Sequence, residues 1–324
     1  MSRWKKYVAF WDHRETGESL ALVRILLGAV VLWDLLQVQR LNLVRVLWAP
    51  VEEGGLGPAS HTEPLIWFYE RYGATYGTTL WLYGITLTVA AMLMLGLFSR
   101  CSALALLLLY AQLETLSPDA DRGIDTLLRD VMCILVFARA GATLSLDALI
   151  WKRKLVTDTL VPAWPRYLVI AQLMILYFFA GLAKDAASWS WNGGYVALFY
   201  VLHEPHHIRF VIPHDALVIA YPLTQIGTLT TVLWERSAVF LPLLKWLRNT
   251  RERDTRWHRW ANKLRLLEVW ACTGIFFHLM LALLLALGIF PWGCLALYPA
   301  LAKPETWRRW AQRLRLPESS LAPA

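Results

Sequence analysis

The segment YLVIAQLMILYFFAGLAKDAASW, Tyr167 to Trp189, decides what kind of fold the chain can adopt. From Tyr167 to Ala183 it is apolar except for Gln172, and the run breaks abruptly at Lys184 and Asp185. A helix needs about 20 such residues to cross about 30 Å of hydrocarbon, and it satisfies its own backbone hydrogen bonds while doing so. An ammonium at the end of that helix either reaches for water or is held dry because chemistry needs it. The rest of the chain has the same character: 324 residues, 57% hydrophobic and 17% charged, with a mean hydropathy of +0.42. Soluble domains carry about a quarter charged residues. The composition therefore describes a polytopic membrane protein and does not fit a water-soluble fold.

Working outward, further apolar runs occupy Leu20–Leu36, Thr78–Leu97, Ser102–Leu116, Ile124–Phe137, Leu223–Leu244 and Val269–Leu287, with a shorter piece at Pro291–Leu301. With Tyr167–Ala183 these predict an all-α transmembrane bundle of seven to eight spans. The last piece would rise only about 17 Å and is read as a partial or tilted helix. Trp4, Tyr7, Phe10 and Trp11 interleave with Arg3, Lys5 and Lys6, and Trp307 and Trp310 with Arg308, Arg309, Arg313 and Arg315, as in amphipathic segments lying on a membrane surface. The chain reads as one domain over residues 1–324, with no internal repeat.

The formal charge of +8 falls between the apolar runs and forms no continuous patch with base-stacking aromatics, so no nucleic-acid partner is expected. Basic residues gather before the first span, at Arg100, at Lys152–Lys154 and across Lys245–Arg265, which are alternate connections. The positive-inside rule then puts the N-terminus in the cytoplasm and Lys184 at the outer face of a bacterial cytoplasmic membrane. The N-terminus is too polar after its charged start for a cleavable signal. Cys101, Cys133, Cys272 and Cys294 have no CxxC or framework spacing, so neither disulfides nor metal are expected from them.

Ionisable residues inside a membrane are costly and are functional candidates by default. Arg24 and Asp34, near opposite ends of the first span, are expected to snorkel to the interfaces. Asp125 and Arg129 share a helix face and are expected to pair with each other. Glu235 falls near the middle of Leu223–Leu244, and its neighbour Arg236 points about 100° away, which strains an adjacent salt bridge. His278 has a similar depth in Val269–Leu287; such a histidine is first a packed hydrogen-bonding residue, but two polar groups at one depth imply contact. His203, His206 and His207 in LHEPHHIRF invite a metal reading. Pro205 interrupts the helix that would put the first and last rings on one face, so an exposed polar loop is expected and no metal site is assigned.

With these residues in place, YFFAGLAKDAASWSWNGGY resembles the membrane domain of the vitamin K-dependent γ-glutamyl carboxylases, in which an apolar helix ends in Ala-Gly-x-x-Lys and a tryptophan follows five residues later. Lys184 and Trp189 are the matching residues. The resemblance extends to the wider group of HTTM (horizontally transferred transmembrane) domains through LVRILLGAVVLWD with Arg24 and Gly28, GIDTLLRDVMCILVFARAGATLSLDA, LTTVLWERSAVFLPLL with its glutamate, and FFHLMLALLLALGIFPWGCLAL with its histidine and Phe-Pro-Trp. It covers Ser19 to Trp307.

That resemblance implies that Lys184 is a base for a reduced, vitamin K-like quinone, whose oxygenation then gives a base able to take a glutamate γ-proton before carbon dioxide adds. Tyr177, Ala180 and Gly181 on the lysine's own face would partly desolvate it and favour the neutral amine. Glu235 and His278 join Lys184 as candidate catalytic residues, and Tyr177, Trp189, His203, Arg24, Asp125 and Arg129 form the candidate substrate-binding set. The carboxylases carry a large extramembrane domain after the last helices, whereas a short tail follows Leu301 here. Two functions are therefore expected in competition: quinol- or lipid-dependent oxygenation chemistry, or a non-catalytic membrane factor that binds a lipid, a prenylated quinone or a secreted peptide or protein partner during its maturation or export.

Overall fold

The computed structural model describes residues 4, 8, 11–57, 67–117 and 121–314. The expected N-terminal surface segment lies mostly outside these residues, as do Arg315 and parts of the Gln39–Gly77 and Ser117–Gly123 connections. The fold is all-α apart from one short antiparallel pair, β1 (Arg14–Thr16) with β2 (Leu160–Pro162), in which Glu15 faces Val161. The chain forms two compact units, one of Met1–Val169 with Ala302–Ala324 and one of Ile170–Leu301.

In the first unit, α1 (Glu18–Arg40) is followed by the short α2 (Val44–Trp48) and α3 (Trp67–Tyr72), then by α4 (Tyr76–Leu95), α5 (Ser99–Leu116), α6 (Gly123–Phe137) and α7 (Leu146–Lys152). α1 packs on α4, α4 on α5 and α5 on α6. The α1–α4 crossing is close because Gly28 has no side chain: a Cβ there would stand 2.7 Å from the Met94 backbone. Local chemistry sets the helix ends. Thr75 accepts from Thr78 N at 3.1 Å at the start of α4, which ends at the left-handed Gly96 with φ 73°. Asp147 accepts from the Phe98 and Ser99 amides at 2.8 and 3.0 Å, placing a carboxylate at the positive end of α5.

α8 (Trp164–Leu182) starts in the first unit and continues into the second. There it is followed by 3-10 turns at Ala187–Trp189 and Trp191–Gly193, α9 (Ala197–Val201), α10 (His214–Ile219), α11 (Tyr221–Arg236), α12 (Leu241–Asn249), α13 (Arg256–Lys263), α14 (Leu266–Leu284) and α15 (Phe290–Leu295). α11 packs on α9 and α14, α12 on α13 and α14, and α14 on α15. The final helix, α16 (Pro304–Leu314), returns to the first unit, where Arg308 pairs with Glu18 and, at 2.5 Å, with Asp158.

Among the described residues, four helical stretches are long and apolar enough to cross a membrane: Glu18–Arg40, Tyr76–Leu95, Trp164–Leu182 and Arg256–Leu284. The Ser102–Leu116 and Ile124–Phe137 runs are helical, in α5 of 18 and α6 of 15 residues. Leu223–Leu244 is not one continuous α-helix: α11 stops at Arg236, a 3-10 turn occupies Ser237–Phe240, and Pro242 opens α12. Glu235 therefore sits at the end of a helix and not in the middle of one.

Candidate functional site

Lys184 lies two residues beyond the end of α8, and α11 brings Glu235 to it from 51 residues away. Lys184 Nζ donates to Glu235 Oε1 at 2.8 Å and stands 2.6 Å from Oε2, a charge contact without hydrogen-bond geometry. It also donates to Ala180 O at 3.3 Å and lies 5.2 Å from the centre of the Trp189 ring, within cation–π range. The Glu235 side chain is 5% exposed and that of Lys184 20%, so the carboxylate is the buried partner and the ammonium opens toward the surface.

Gly181 makes this meeting possible. A Cβ on it would lie 2.9 Å from both Glu235 Cβ and Arg236 N, so only glycine lets α8 and α11 approach so closely. Arg236, which sequence reasoning treated only as a poor partner for Glu235, donates to Gly181 O at 3.0 Å and Lys184 O at 3.3 Å. It thereby satisfies carbonyls at the C-terminal end of α8, where a positive charge is also favoured by the helix dipole. Adjacent residues that point different ways thus do two jobs: Glu235 holds the ammonium and Arg236 the helix end.

Tyr177 and His278 form a second, dry cluster in the same unit. Tyr177 Oη is 2.7 Å from His278 Nε2 and accepts from Tyr298 Oη at 3.3 Å, with the Trp234 ring 4.5 Å and the Trp270 ring 5.7 Å from Tyr177. Gly274 leaves room for it, since a Cβ there would fall 2.0 Å from Tyr298 Oη. Tyr298 donates to Tyr177, and one proton lies between Tyr177 Oη and His278 Nε2, its donor set by the histidine tautomer. Nδ1 has no hydrogen-bond partner among the described residues. The expected Glu235–His278 contact is absent among them: Glu235 is taken by Lys184, just beyond α8, and His278 by Tyr177 on α8.

Several other expectations are corrected. Lys184 stands against a carboxylate as well as against Ala180, whose carbonyl accepts from it. Arg24 does not snorkel; it is fully buried and donates to the carbonyls of Leu93, Met94, Ala140 and Leu144 at 2.6, 2.8, 3.3 and 2.5 Å. Asp34 pairs with Arg122 at 2.5 Å. Asp125 and Arg129 do not pair with each other. Asp125 accepts from Arg122 N at 3.0 Å, Arg122 Nε at 2.8 Å and Tyr110 Oη at 2.6 Å, while Arg129 pairs with Glu114 and, at 3.2 Å, with Asp121. Burial acting alone would raise the Asp121 carboxyl, but hydrogen bonds with Glu114 and Arg129 and the nearby guanidinium charges outweigh it and hold it below the usual carboxylate range. His203 meets neither His206 nor His207 in a hydrogen bond but His214, at 3.1 Å. Nothing in sequence spacing marked Arg122, His214 or Tyr298.

These features define an integral membrane helical protein with a buried carboxylate paired to a partly exposed ammonium at the end of a membrane helix. The HTTM domain family model matches residues 13–249, and the chain belongs to that family. The matched range contains Lys184, Trp189, His203 and Glu235 and ends before His278 and the Phe290–Trp292 motif. No solved structure matches the chain.

Proposed function

We propose that this HTTM-domain membrane protein acts on a lipid-soluble quinol through Lys184, with Glu235 as its proton partner and Trp189 as one wall of the site. The observation that carries this reading is the 2.8 Å Lys184–Glu235 hydrogen bond, which sets a proton donor directly against a carboxylate at the end of a membrane helix. Glu235 can take the ammonium proton and leave an amine to receive the proton of a quinol hydroxyl. The quinol anion then reacts with dioxygen, and the overall conversion of quinol and dioxygen gives an epoxide and water, as the carboxylase resemblance implies. Tyr177 and His278 position the α8 and α14 segments below this group. Reading α5, α6 and α11 as further crossings gives seven spans, with Phe290–Leu301 as an eighth, partial one; with a cytoplasmic N-terminus, Lys184 is then proposed at the outer face.

One observation favours the second reading, a non-catalytic factor that binds a quinone, lipid or secreted peptide. Ala180 O, Glu235 and the Trp189 ring already surround the Lys184 ammonium, as they would in a fixed ion pair. Reconstitution in liposomes with a panel of reduced prenylated quinones and dioxygen, followed by mass spectrometry for the epoxide, separates the two. Under the first reading wild type turns over, Lys184→Arg inserts normally but loses about 100-fold or more because guanidinium does not give up its proton, and Glu235→Gln is milder than Glu235→Ala. Quinone binding without turnover in wild type, or full activity of Lys184→Arg, would refute it.

A further inference from the structure

The geometry points to a transition-metal site formed by His203, on the connection after α9, and His214, the first residue of α10, outside the Lys184–Glu235 pair. His203 Nδ1 is 2.8 Å from Phe199 O, and a carbonyl can only accept, so the proton of a neutral His203 ring is on Nδ1 and the lone pair is on Nε2. That lone pair faces His214 Nδ1 at 3.1 Å. Metal-bound histidines are commonly oriented in this way, with the second ring nitrogen donating to a backbone carbonyl, which fixes both tautomer and ring direction.

The separation of the two nitrogens is the second argument. A metal about 2.0–2.1 Å from each, with the nitrogens 3.1 Å apart, has an N–metal–N angle of about 100°. That lies between the square-planar and tetrahedral values, within the range used by Cu(II), Ni(II) and Zn(II). The His203 ring is also braced. The His203 ring packs 4.3 Å from the Phe199 ring, and Phe199 packs edge-on against Tyr221 at 5.1 Å. Leu202 and Leu217, on either side of the connection, are buried in one apolar cluster with Leu285. The two imidazoles are therefore presented by a packed base.

In the metal-free protein, His214 Nδ1–H donates to His203 Nε2. On metal binding the His214 proton moves from Nδ1 to Nε2 by exchange with water, which frees the Nδ1 lone pair for the ion. Water completes the coordination of a site with two protein ligands, as suits a weakly held or exchangeable ion. His206 and His207 are exposed on the same connection and do not take part.

Full-length protein carrying a tag without histidines is titrated in detergent with Cu(II) and followed by electron paramagnetic resonance, with Zn(II) calorimetry in parallel. One ion per chain and hyperfine structure from two nitrogens are expected. His203→Ala and His214→Ala should each weaken binding about tenfold or more, whereas His206→Ala and His207→Ala should leave it unchanged. Should His203→Ala disturb the Phe199 packing, His214→Ala still decides, because His214 is exposed. Failure to bind stoichiometrically, or binding insensitive to His214→Ala, overturns the assignment. Quinol turnover is not part of the readout, so this test is independent of Lys184.

Discussion

Arg24 shows at single-residue scale why a charge near a helix end need not reach for water. The last carbonyls of α4 have no helical partner, and a membrane supplies no water to satisfy them. The Arg24 fork serves Leu93 and Met94 there, and Leu144 beyond. Snorkelling would take that side-chain donor from all three, although Leu93 O also accepts from Gly96 N at 3.1 Å. Lysine has one nitrogen and cannot span the same positions, so Arg24→Lys should lose about 2–4 kcal/mol in thermal or denaturant unfolding in detergent; unchanged stability would mean the carbonyls find other donors. Asp121 gives a pH-dependent counterpart. Its folded pKa is depressed, so its stabilising contribution is complete above the unfolded value of about 3.9 and is lost as pH falls through the lower, folded value. The stability gap between wild type and Asp121→Asn should thus be full at pH 6 and close below about pH 4, as melting curves across that range can test.

Among elements, the α8–α11 crossing does most to form the site, and it depends on one missing Cβ. Gly181→Ala would put a methyl group 2.9 Å from Glu235 Cβ and Arg236 N. Backbone cannot yield as a side-chain tip can, so the helices must separate and the Lys184–Glu235 hydrogen bond lengthen. A cost of about 1–3 kcal/mol is expected, together with loss of whatever activity Lys184 supports, while Gly84→Ala on α4, where a Cβ meets nothing within 4 Å, should be close to neutral. Equal effects of the two substitutions on stability would show that the crossing is looser than described. Sequence alone marked Lys184 and Glu235 because each breaks an apolar pattern, and Trp189 through the family resemblance, but it could not pair residues 51 apart. The Asp125–Arg129 spacing misled for a local reason. Asp125 is the third residue of α6, where a carboxylate turns back to the N-cap amide of Arg122, so its oxygens face away from Arg129. His278 was found by depth but assigned the wrong partner, since depth does not say which face of a helix meets which neighbour.

For the molecule as a whole, the apolar runs made the membrane class legible, whereas helix breaks at Ser237–Phe240 and the left-handed Arg265 were not visible in hydropathy. What hydropathy leaves open, charge addresses. The connection after α7 exposes Arg153 and Lys154, and the connection between α12 and α13 exposes Arg251, Arg253 and Arg256. Lysine and arginine resist transfer across the membrane far more than acidic residues do, so both connections are expected on the cytoplasmic side. The stretch after Lys184 carries no lysine or arginine until Arg209 and is expected on the opposite side. This is tested with single cysteines at Ala186 and Glu252, both exposed, in a background lacking Cys101, Cys133, Cys272 and Cys294. In sealed right-side-out vesicles an impermeant maleimide should modify Ala186→Cys and spare Glu252→Cys until the membrane is permeabilised. Labelling of both from the same side would sink the alternation of basic connections and, with it, the placement of Lys184 at the outer face.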